Sequence, residues 1–200
     1  MPALLLASAS PRRRALLTAA GFDLVVQPAA VDEARHPGEH PVHLALRLAQ
    51  AKAEAVAALA GDDPPVLAAD TVVHTQRPGE GSAGAEVYEK PLDAADAARI
   101  LTALADRWHV VTTGFCLRWR GQRALEHVST RVRFRALSAS EIASYIATGE
   151  PLDKAGAYGI QGLGAALVAR VEGSYTNVVG LPVEVVIAAL DRLGAPRPGR

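Results

Sequence analysis

The sequence has almost no cysteine, few aromatic residues, no net charge and no long apolar run. Its one cysteine, Cys116, excludes an internal disulfide and a cysteine-based zinc cluster, and it suits a reducing compartment. Only 4% of the residues are aromatic although 50% are hydrophobic, so alanine, leucine and valine must fill the core. We therefore expect a single domain over residues 1–200 with an aliphatic core.

The balance of charge argues against whole classes of partner. Lysine plus arginine and aspartate plus glutamate each number 21. General nucleic-acid and membrane binders carry a basic excess, so we expect neither partner, and any anion site must be local. The apolar run 3–7 is too short for a signal peptide, and its positive charges follow it. We expect a cytoplasmic protein; the sequence leaves the oligomeric state open and is compatible with a homodimer.

Alternating patterns predict an α/β fold with a mixed sheet. Strands are predicted at 3–7, 22–27, 66–74, 108–119, 124–135 and 165–172, and helices at 11–20, 41–60, 93–105, 138–148 and 182–193. Two long adjacent strands around Gly121 indicate a hairpin. Residues 76–86 have loop composition and are predicted to be mobile, and the tail 195–200 is predicted to fray.

The stretch SASPRRR puts arginines where a helix disfavours them. Ser10 suits the N-cap and Pro11 the first turn, so residues 12–14 fall at the positive end of the helix. Each cation there costs about 0.3–1 kcal/mol at the surface. If Arg13 only adds repulsion, its replacement by alanine should leave stability level or raise it. The residues alone allow either solvated arginines or an anion site at the helix end.

Further along the chain, VLAADTVV places Asp70 and Thr71 inside an apolar strand. A carboxylate there is unfavourable unless it is paired or binds a metal, which favours a functional role. Glu33 lies in AAVDEARHPGEH, which by itself is an ordinary acidic loop. The histidines of that segment are interpreted as surface residues, because prolines interrupt any shared helical face.

Lys52 and Gln161 each allow two interpretations. Lys52 stands at the edge of an apolar helical stripe, where it either snorkels to solvent or reaches a phosphate. Gln161 lies in the glycine-rich stretch GEPLDKAGAYGIQGLGA, which is either a flexible loop or a close approach of backbone to a ligand. The stretch matches neither the P-loop nor the dinucleotide fingerprint.

Taken in order, LASASPRR, AKA, AADTVV, EKP, TTG, DKAGAYGIQG and GSYTNVVGLP resemble the Maf family of nucleoside triphosphate pyrophosphatases. The resemblance covers almost the whole chain. It implies cleavage of a nucleoside triphosphate to the monophosphate and pyrophosphate with a divalent metal, Mg²⁺ first and Mn²⁺ or Co²⁺ as alternatives. It also implies a mixed twisted sheet flanked by helices, in two lobes with a central cleft, as in Maf- and ITPase-like folds.

The resemblance also implies roles for single residues. The phosphate-binding set is matched by Ser8, Arg13, Lys52 and Lys90. Glu33 and Asp70 match the metal and water carboxylates, with Asp70 as the proton acceptor. The positions typical of the branch acting on dTTP and UTP are matched by Arg12, Thr71 and Gln161. Two features depart from the pattern: the segment between DTVV and EKP is longer, and Glu89 replaces a glycine before Lys-Pro.

Two other functions remain open at this point. The family name refers to septum formation, so a regulatory module that binds nucleotide without significant turnover is one alternative. A phosphohydrolase that releases orthophosphate is another. The enzyme hypothesis explains the arginines best, because charge-assisted contacts with a triphosphate outweigh the small helix penalty.

Overall fold

The computed structural model describes residues 3–75 and 85–199. The strands are β1 (Ala3–Leu6), β2 (Asp23–Val26), β3 (Val66–His74), β4 (Val87–Tyr88), β5 (Trp108–Trp119), β6 (Gln122–Phe134) and β7 (Val168–Glu172). The α-helices are α1 (Pro11–Ala19), α2 (Pro41–Ala60), α3 (Ala94–Leu104), α4 (Ala139–Ala147), α5 (Tyr175–Val179) and α6 (Val183–Leu193). Short 3₁₀ turns span Glu150–Asp153, Ala155–Ala157 and Gly162–Leu167.

The strands form one mixed sheet, which confirms the predicted α/β class. The order is β2-β1-β3-β5-β6-β7, with β4 also paired to β3. β1 runs parallel to β2 and β3, whereas the other pairs are antiparallel. The expected hairpin is present: Trp119 pairs with Gln122, and Arg120 and Gly121 have φ of 47° and 77°. Positive φ at both turn residues is the geometry that two-residue hairpin loops favour.

Differences from the predicted elements lie where local pattern is weak. The segment 165–167 is a 3₁₀ turn instead of strand, because the preceding glycines and alanines lack the branched side chains that favour strands. The two-residue β4 and the five-residue α5 were not predicted. Both are short elements that tertiary contacts stabilise.

The sheet has two faces with different helices. We call the face of β3 that bears Asp70 and Val72 the carboxylate face; α2 packs on it. We call the opposite face, bearing Thr71 and Val73, the arginine face. On the arginine face, one apolar cluster packs the sheet against α1 and α6, and a second packs it against α3 and α4. Thr71 therefore lies at the boundary between two packed units, as the predicted division into two lobes requires.

The free edge of β3 opens the sheet at the same point. One edge of β3 pairs with β5 over its whole length. The other edge pairs with β1 at Val66 and Leu67 and with β4 at Val73 and His74. Between these contacts, no strand of the described chain pairs with 68–72 on that edge. The gap exposes Asp70 and Thr71 to a cleft.

The two segments predicted to be irregular are only partly described. Most of the segment 76–86 lies outside the described residues, and its mobility stays a prediction. At its end, the backbone N–H of Thr75 donates to the carbonyl of Glu86 at 2.9 Å. In the tail, Ala195 is buried and Arg197 Nε donates to Asp191 Oδ1 at 2.6 Å, so part of 195–200 packs on α6. None of the described helices has the length and apolar character needed to cross a membrane.

Candidate active site

The alternation of β3 sends its two polar residues in opposite directions. Successive strand residues face opposite sides of a sheet, so Asp70 faces α2 while Thr71 faces α1. Both lie at the edge gap, beyond the end of β1. Two chemically different surfaces thus meet at one position of one strand.

On the carboxylate face, one ammonium group joins two carboxylates. Lys52 Nζ lies 2.7 Å from Asp70 Oδ1 and 2.7 Å from Glu33 Oε1. Lys52 is only 8% exposed. Partial burial raises the pKa of Glu33, but the hydrogen bond and charge of Lys52 outweigh it and hold that pKa below its usual value, with Lys90 and Arg13 contributing. The site thus holds Glu33 ionised next to a buried cation.

Close packing of α2 puts Lys52 in this position. Gly114 pairs with Asp70 across the sheet, and a Cβ there would lie 2.6 Å from the backbone carbon of Ala45. Lys52 follows Ala45 by seven residues, or two helical turns, and therefore shares its inward face. Of the two interpretations of Lys52, the structure excludes snorkelling to solvent, because the glycine lets the helix approach and the two carboxylates hold the ammonium inside.

On the arginine face, Arg13 is a half-buried side chain that connects several elements. Ser10 caps α1 as expected, accepting from the Arg13 N–H at 3.4 Å. The guanidinium donates to the Gly180 carbonyl at 2.8 Å, to Ser8 Oγ at 3.1 Å and to Thr71 Oγ1 at 3.0 Å. Burial lowers the pKa of Arg13, which the charges of Asp70 and Glu33 partly offset.

The expectation that Arg13 only adds repulsion to the helix end is therefore wrong. Its three contacts tie α1 to the segment after β1, to β3 and to the turn before α6. Hydrogen bonds from a charged group contribute about 1.5–3 kcal/mol each, more than the helix-end penalty of about 0.3–1 kcal/mol. Arg14, interpreted as solvated, is exposed.

Arg12 reaches across the cleft. Its Nη1 lies 3.3 Å from Asp153 Oδ2, at the start of the glycine-rich stretch. Asp153 also pairs with Lys154, whose Nζ is 2.6 Å away. Burial raises the pKa of Asp153, but the hydrogen bonds and charges of Lys154 and Arg12 outweigh this effect. The pKa of Asp153 therefore lies below its usual value. Arg12 is thereby aimed at the cleft from α1 and held by the opposite wall.

The cleft collects every residue to which the resemblance assigns a site role. Its volume is about 920 Å³, near the upper end of the usual range for small-molecule sites. Its lining includes Ser8, Arg12, Arg13, Glu33, Lys52, Asp70, Thr71, Lys90 and Gln161. Lys90 and Gln161 are exposed there, and Lys90 is near enough to Glu33 to influence its pKa. The longer preceding segment has not displaced Lys90 from the cleft, although the roles of these residues stay predictions.

The histidines of the acidic segment stay outside the cleft lining. His36 and His43 are exposed. His40 is half-buried and caps α2, with its Nδ1 accepting from the Val42 N–H at 3.0 Å. The interpretation as surface residues fits His36 and His43, whereas His40 has a structural role in starting α2.

Known proteins of similar sequence share one family. The Maf-like protein family matches residues 3–193 of this chain. The chain belongs to that family. A dTTP/UTP pyrophosphatase of Anaeromyxobacter sp. (strain Fw109-5) is 50% identical over 98% of this chain and 91% of its own length. Enzymes of the same name from Koribacter versatilis and Myxococcus xanthus are each 49% identical, over 96% and 98% of this chain and 94% and 95% of their own lengths.

A solved structure shows a more distant likeness. It is a nucleoside-triphosphatase / dITP/XTP pyrophosphatase from Mycobacterium abscessus, 17% identical, with a TM-score of 0.44 and coverage of 96% of this chain and 95% of the other. A likeness of this degree supports no conclusion about the Maf-like chain. Its fold class rests on its own sheet.

Sequence reasoning missed the polar residues beneath the cleft of this Maf-like chain. Thr113 Oγ1 lies 2.9 Å from Thr71 Oγ1 and donates to the Asn177 carbonyl at 3.1 Å. The buried Asn177 side chain donates to the Val111 carbonyl at 2.9 Å and to Thr130 at 3.0 Å. The available signal was polar residues inside an apolar strand, since buried polar groups need partners.

Proposed function

We propose that this protein hydrolyses dTTP and UTP to the monophosphate and pyrophosphate. The observation that carries the proposal is the pair of carboxylates, Glu33 and Asp70, held by one buried lysine at the mouth of a cleft lined by arginines. Relatives that are about 50% identical are dTTP/UTP pyrophosphatases, which supports the reaction and the substrates. Further support comes from the charges around the cleft.

The cations suit a triphosphate. Arg12 and Arg13 project from the first turn of α1, whose backbone N–H groups also favour anions. A guanidinium has five N–H donors, and the contacts described for Arg13 use three of its nitrogens once each. Lys90 adds a second positive wall near Glu33. Phosphate groups would compensate charges that repel one another in the free protein.

A divalent metal fits the carboxylate pair. No group of three or more histidine, cysteine, aspartate or glutamate side chains suited to a metal occurs in 3–75 and 85–199. However, Glu33 and Asp70 already converge on one cation, and Mg²⁺ commonly binds through one or two carboxylates together with substrate phosphates. Glu33 and Asp70 would hold it. When bound, the metal would acidify water and neutralise phosphate charge.

The side chains then have separable roles. Asp70 would accept the proton of the water that attacks the α-phosphorus. Lys52 keeps Asp70 and Glu33 together, and its ammonium offsets the negative charge that the triphosphate adds. Arg12, Arg13 and Lys90 would stabilise the departing pyrophosphate, since fixed cations are most effective where negative charge develops. One water is consumed: its oxygen would bond to the α-phosphorus as the bond to the pyrophosphate oxygen breaks, and Asp70 would then release the captured proton to solvent.

Substrate choice would depend on three residues from different walls of the cleft. Arg12, Thr71 and Gln161 have the identities typical of relatives that act on dTTP and UTP, and all three line the cleft. Thr71 is fixed by Arg13 and Thr113, whereas Gln161 is exposed and free to meet the base. A site built to hydrogen-bond one base rejects others because its polar groups are then left unpaired.

The test is product identification in ¹⁸O-labelled water. dTTP, UTP, dCTP, dGTP and ATP are each incubated with the protein and Mg²⁺, and the products are analysed by ³¹P NMR and mass spectrometry. We expect dTTP and UTP to react fastest, giving pyrophosphate and a monophosphate that carries the label. Release of orthophosphate would support the phosphohydrolase instead, and binding without any product would support the regulatory module.

A further inference from the structure

Gln161 stands on a turn whose two sides are anchored from below. The Gly159 N–H donates to Tyr145 Oη at 3.2 Å on one side. On the other side, the N–H groups of Leu163 and Gly164 donate to the two carboxylate oxygens of Glu150, each at 3.0 Å. Tyr145 Oη in turn donates to Glu150 Oε1 at 2.8 Å. One phenol–carboxylate pair therefore holds the backbone before and after Gln161.

The packing of the glycines shows how closely this turn fits its anchor. A Cβ at Gly164 would lie 2.3 Å from the Gly159 carbonyl oxygen and 2.6 Å from Tyr145 Oη. Gly162 has φ of +71°, and a Cβ there would lie 2.9 Å from Glu150 Oε2. Only a chain without side chains at these positions can close over the pair, so the turn is tightly packed.

The protonation states suit this arrangement. Burial raises the pKa of Tyr145, so its hydroxyl stays a donor at neutral pH. Burial also raises the pKa of Glu150, but hydrogen bonds from Gly164, Tyr145 and Leu163 lower it below its usual value. An ionised carboxylate accepts at both oxygens, which suits two oxygens that each receive a backbone N–H.

We propose that Tyr145 and Glu150 are positioning residues that set nucleotide selectivity by fixing Gln161. Neither is among the residues that line the cleft in the described chain, so both act through the turn and not on substrate directly. The inference rests on the proposed function, because it assumes that Gln161 reads the base. A base-reading amide discriminates only when its backbone holds it within a few tenths of an ångström of the productive geometry.

Two conservative variants test the inference. Glu150→Gln keeps the size but replaces one accepting oxygen with an amide group that cannot accept from Leu163 or Gly164. Tyr145→Phe keeps the ring and removes the hydroxyl that joins Gly159 to Glu150. For each, kcat/KM is measured for dTTP and dGTP. We expect the dTTP-to-dGTP ratio to fall about tenfold, the effect of losing one well-placed hydrogen bond, while kcat for dGTP changes little.

A control variant separates selectivity from stability. Glu141→Gln removes another hydrogen-bonded carboxylate, the one that caps the far end of α4 with Ser138, and should lower the melting temperature without changing the ratio. In a Gln161→Ala background, Glu150→Gln should have no further effect on the ratio. Unchanged ratios in both Glu150→Gln and Tyr145→Phe would overturn the inference. A wild-type protein that does not prefer dTTP to dGTP would overturn the proposed specificity instead.

Discussion

The two faces of β3 each hold a positively charged side chain, but with different partners. On the carboxylate face, one lysine serves two acids, and all three charges meet within hydrogen-bond distance. On the arginine face, Arg13 is held by neutral oxygens: a carbonyl and two hydroxyls. The first face therefore carries one more negative than positive charge and can take up a cation, whereas the second keeps a positive charge that an anion can neutralise. In the proposed mechanism, adjacent residues of one strand therefore lie beside the base and beside the phosphate site.

The largest expected effect comes from breaking the carboxylate face at Asp70. Asp70→Asn keeps the shape but removes the proton acceptor, and a positioned general base contributes about 10²–10⁴-fold. We expect kcat at saturating Mg²⁺ to fall by at least that range, while a non-hydrolysable triphosphate analogue still binds through the arginine face. Steady-state kinetics and titration calorimetry measure the two effects. A near-normal kcat would move the base elsewhere, with Glu33 the first residue to test.

Removal of Arg13 tests the other face. Arg13→Ala loses three charge-assisted hydrogen bonds, each worth about 1.5–3 kcal/mol, and gains back about 0.3–1 kcal/mol from the helix end. Partial rehydration of the site reduces the sum, so we expect a loss of about 2–4 kcal/mol in unfolding free energy, together with a higher KM. Urea unfolding and kinetics measure both.

The matched control for that variant is one residue away. Arg14 is exposed on the same helical turn, so Arg14→Ala should leave KM unchanged and keep or slightly raise stability. Equal behaviour of the two alanine variants would mean that Arg13 is no connector.

The sequence predicted the fold well where the pattern is strong. β3, β5 and α2 begin and end at the predicted residues, because long apolar runs and a Pro-to-Gly span define them locally. β4 was missed because Val87 and Tyr88 are strand only by virtue of pairing with Val73 and His74. Such an element has no local signal.

The sequence predicted which residues lie at the site better than it predicted their contacts and burial. The residues that the resemblance implies all line one cleft, but the burial of Lys52 depends on Gly114, far along the chain, allowing α2 to approach. Arg12 and Asp153 meet across 141 residues, a contact that no periodicity predicts. The sequence predicted a set of residues that gather at the cleft, whereas the distances between them needed tertiary structure.

Two buried histidines extend the comparison to pH. His74, on the carboxylate face, has a partner for each ring nitrogen: Thr75 O and Thr112 Oγ1, both at 3.0 Å. His109, on the arginine face, meets only Tyr158 Oη, at 2.8 Å, and its Nδ1 has no hydrogen-bond partner in the described chain. Burial, with a smaller effect from His74, lowers the pKa of His109 to about 3. Protonation of His109 is therefore strongly coupled to unfolding.

The sign of the pH effect follows from the lowered pKa. An unfolded histidine binds its proton near pH 6.5, so the stabilisation is complete above that pH and is lost as the pH falls toward 3. Between pH 8 and pH 5 we expect His109 to account for about 2 kcal/mol of lost unfolding free energy. His109→Gln should lose that part of the pH dependence in urea titrations. His36→Gln, at an exposed histidine, should keep it, and identical pH profiles for the two variants would contradict the assignment.

The smallest expected effect concerns the ion pair that crosses the cleft. Arg12 and Asp153 are 3.3 Å apart, with side chains 28% and 64% exposed, and exposed pairs contribute about 0.2–1 kcal/mol. Asp153→Asn removes a negative charge that competes with a phosphate for Arg12, so KM for dTTP should fall about twofold to fivefold at low salt. The gain should shrink at high salt, because screening weakens both the lost pair and the new attraction.

Asp106→Asn is the control: it breaks a similarly exposed pair with Arg133, outside the cleft lining, and should leave KM unchanged. A higher KM in Asp153→Asn would instead mean that Asp153 holds Arg12 in its binding orientation. The arginine face would then depend on a carboxylate, as the carboxylate face does.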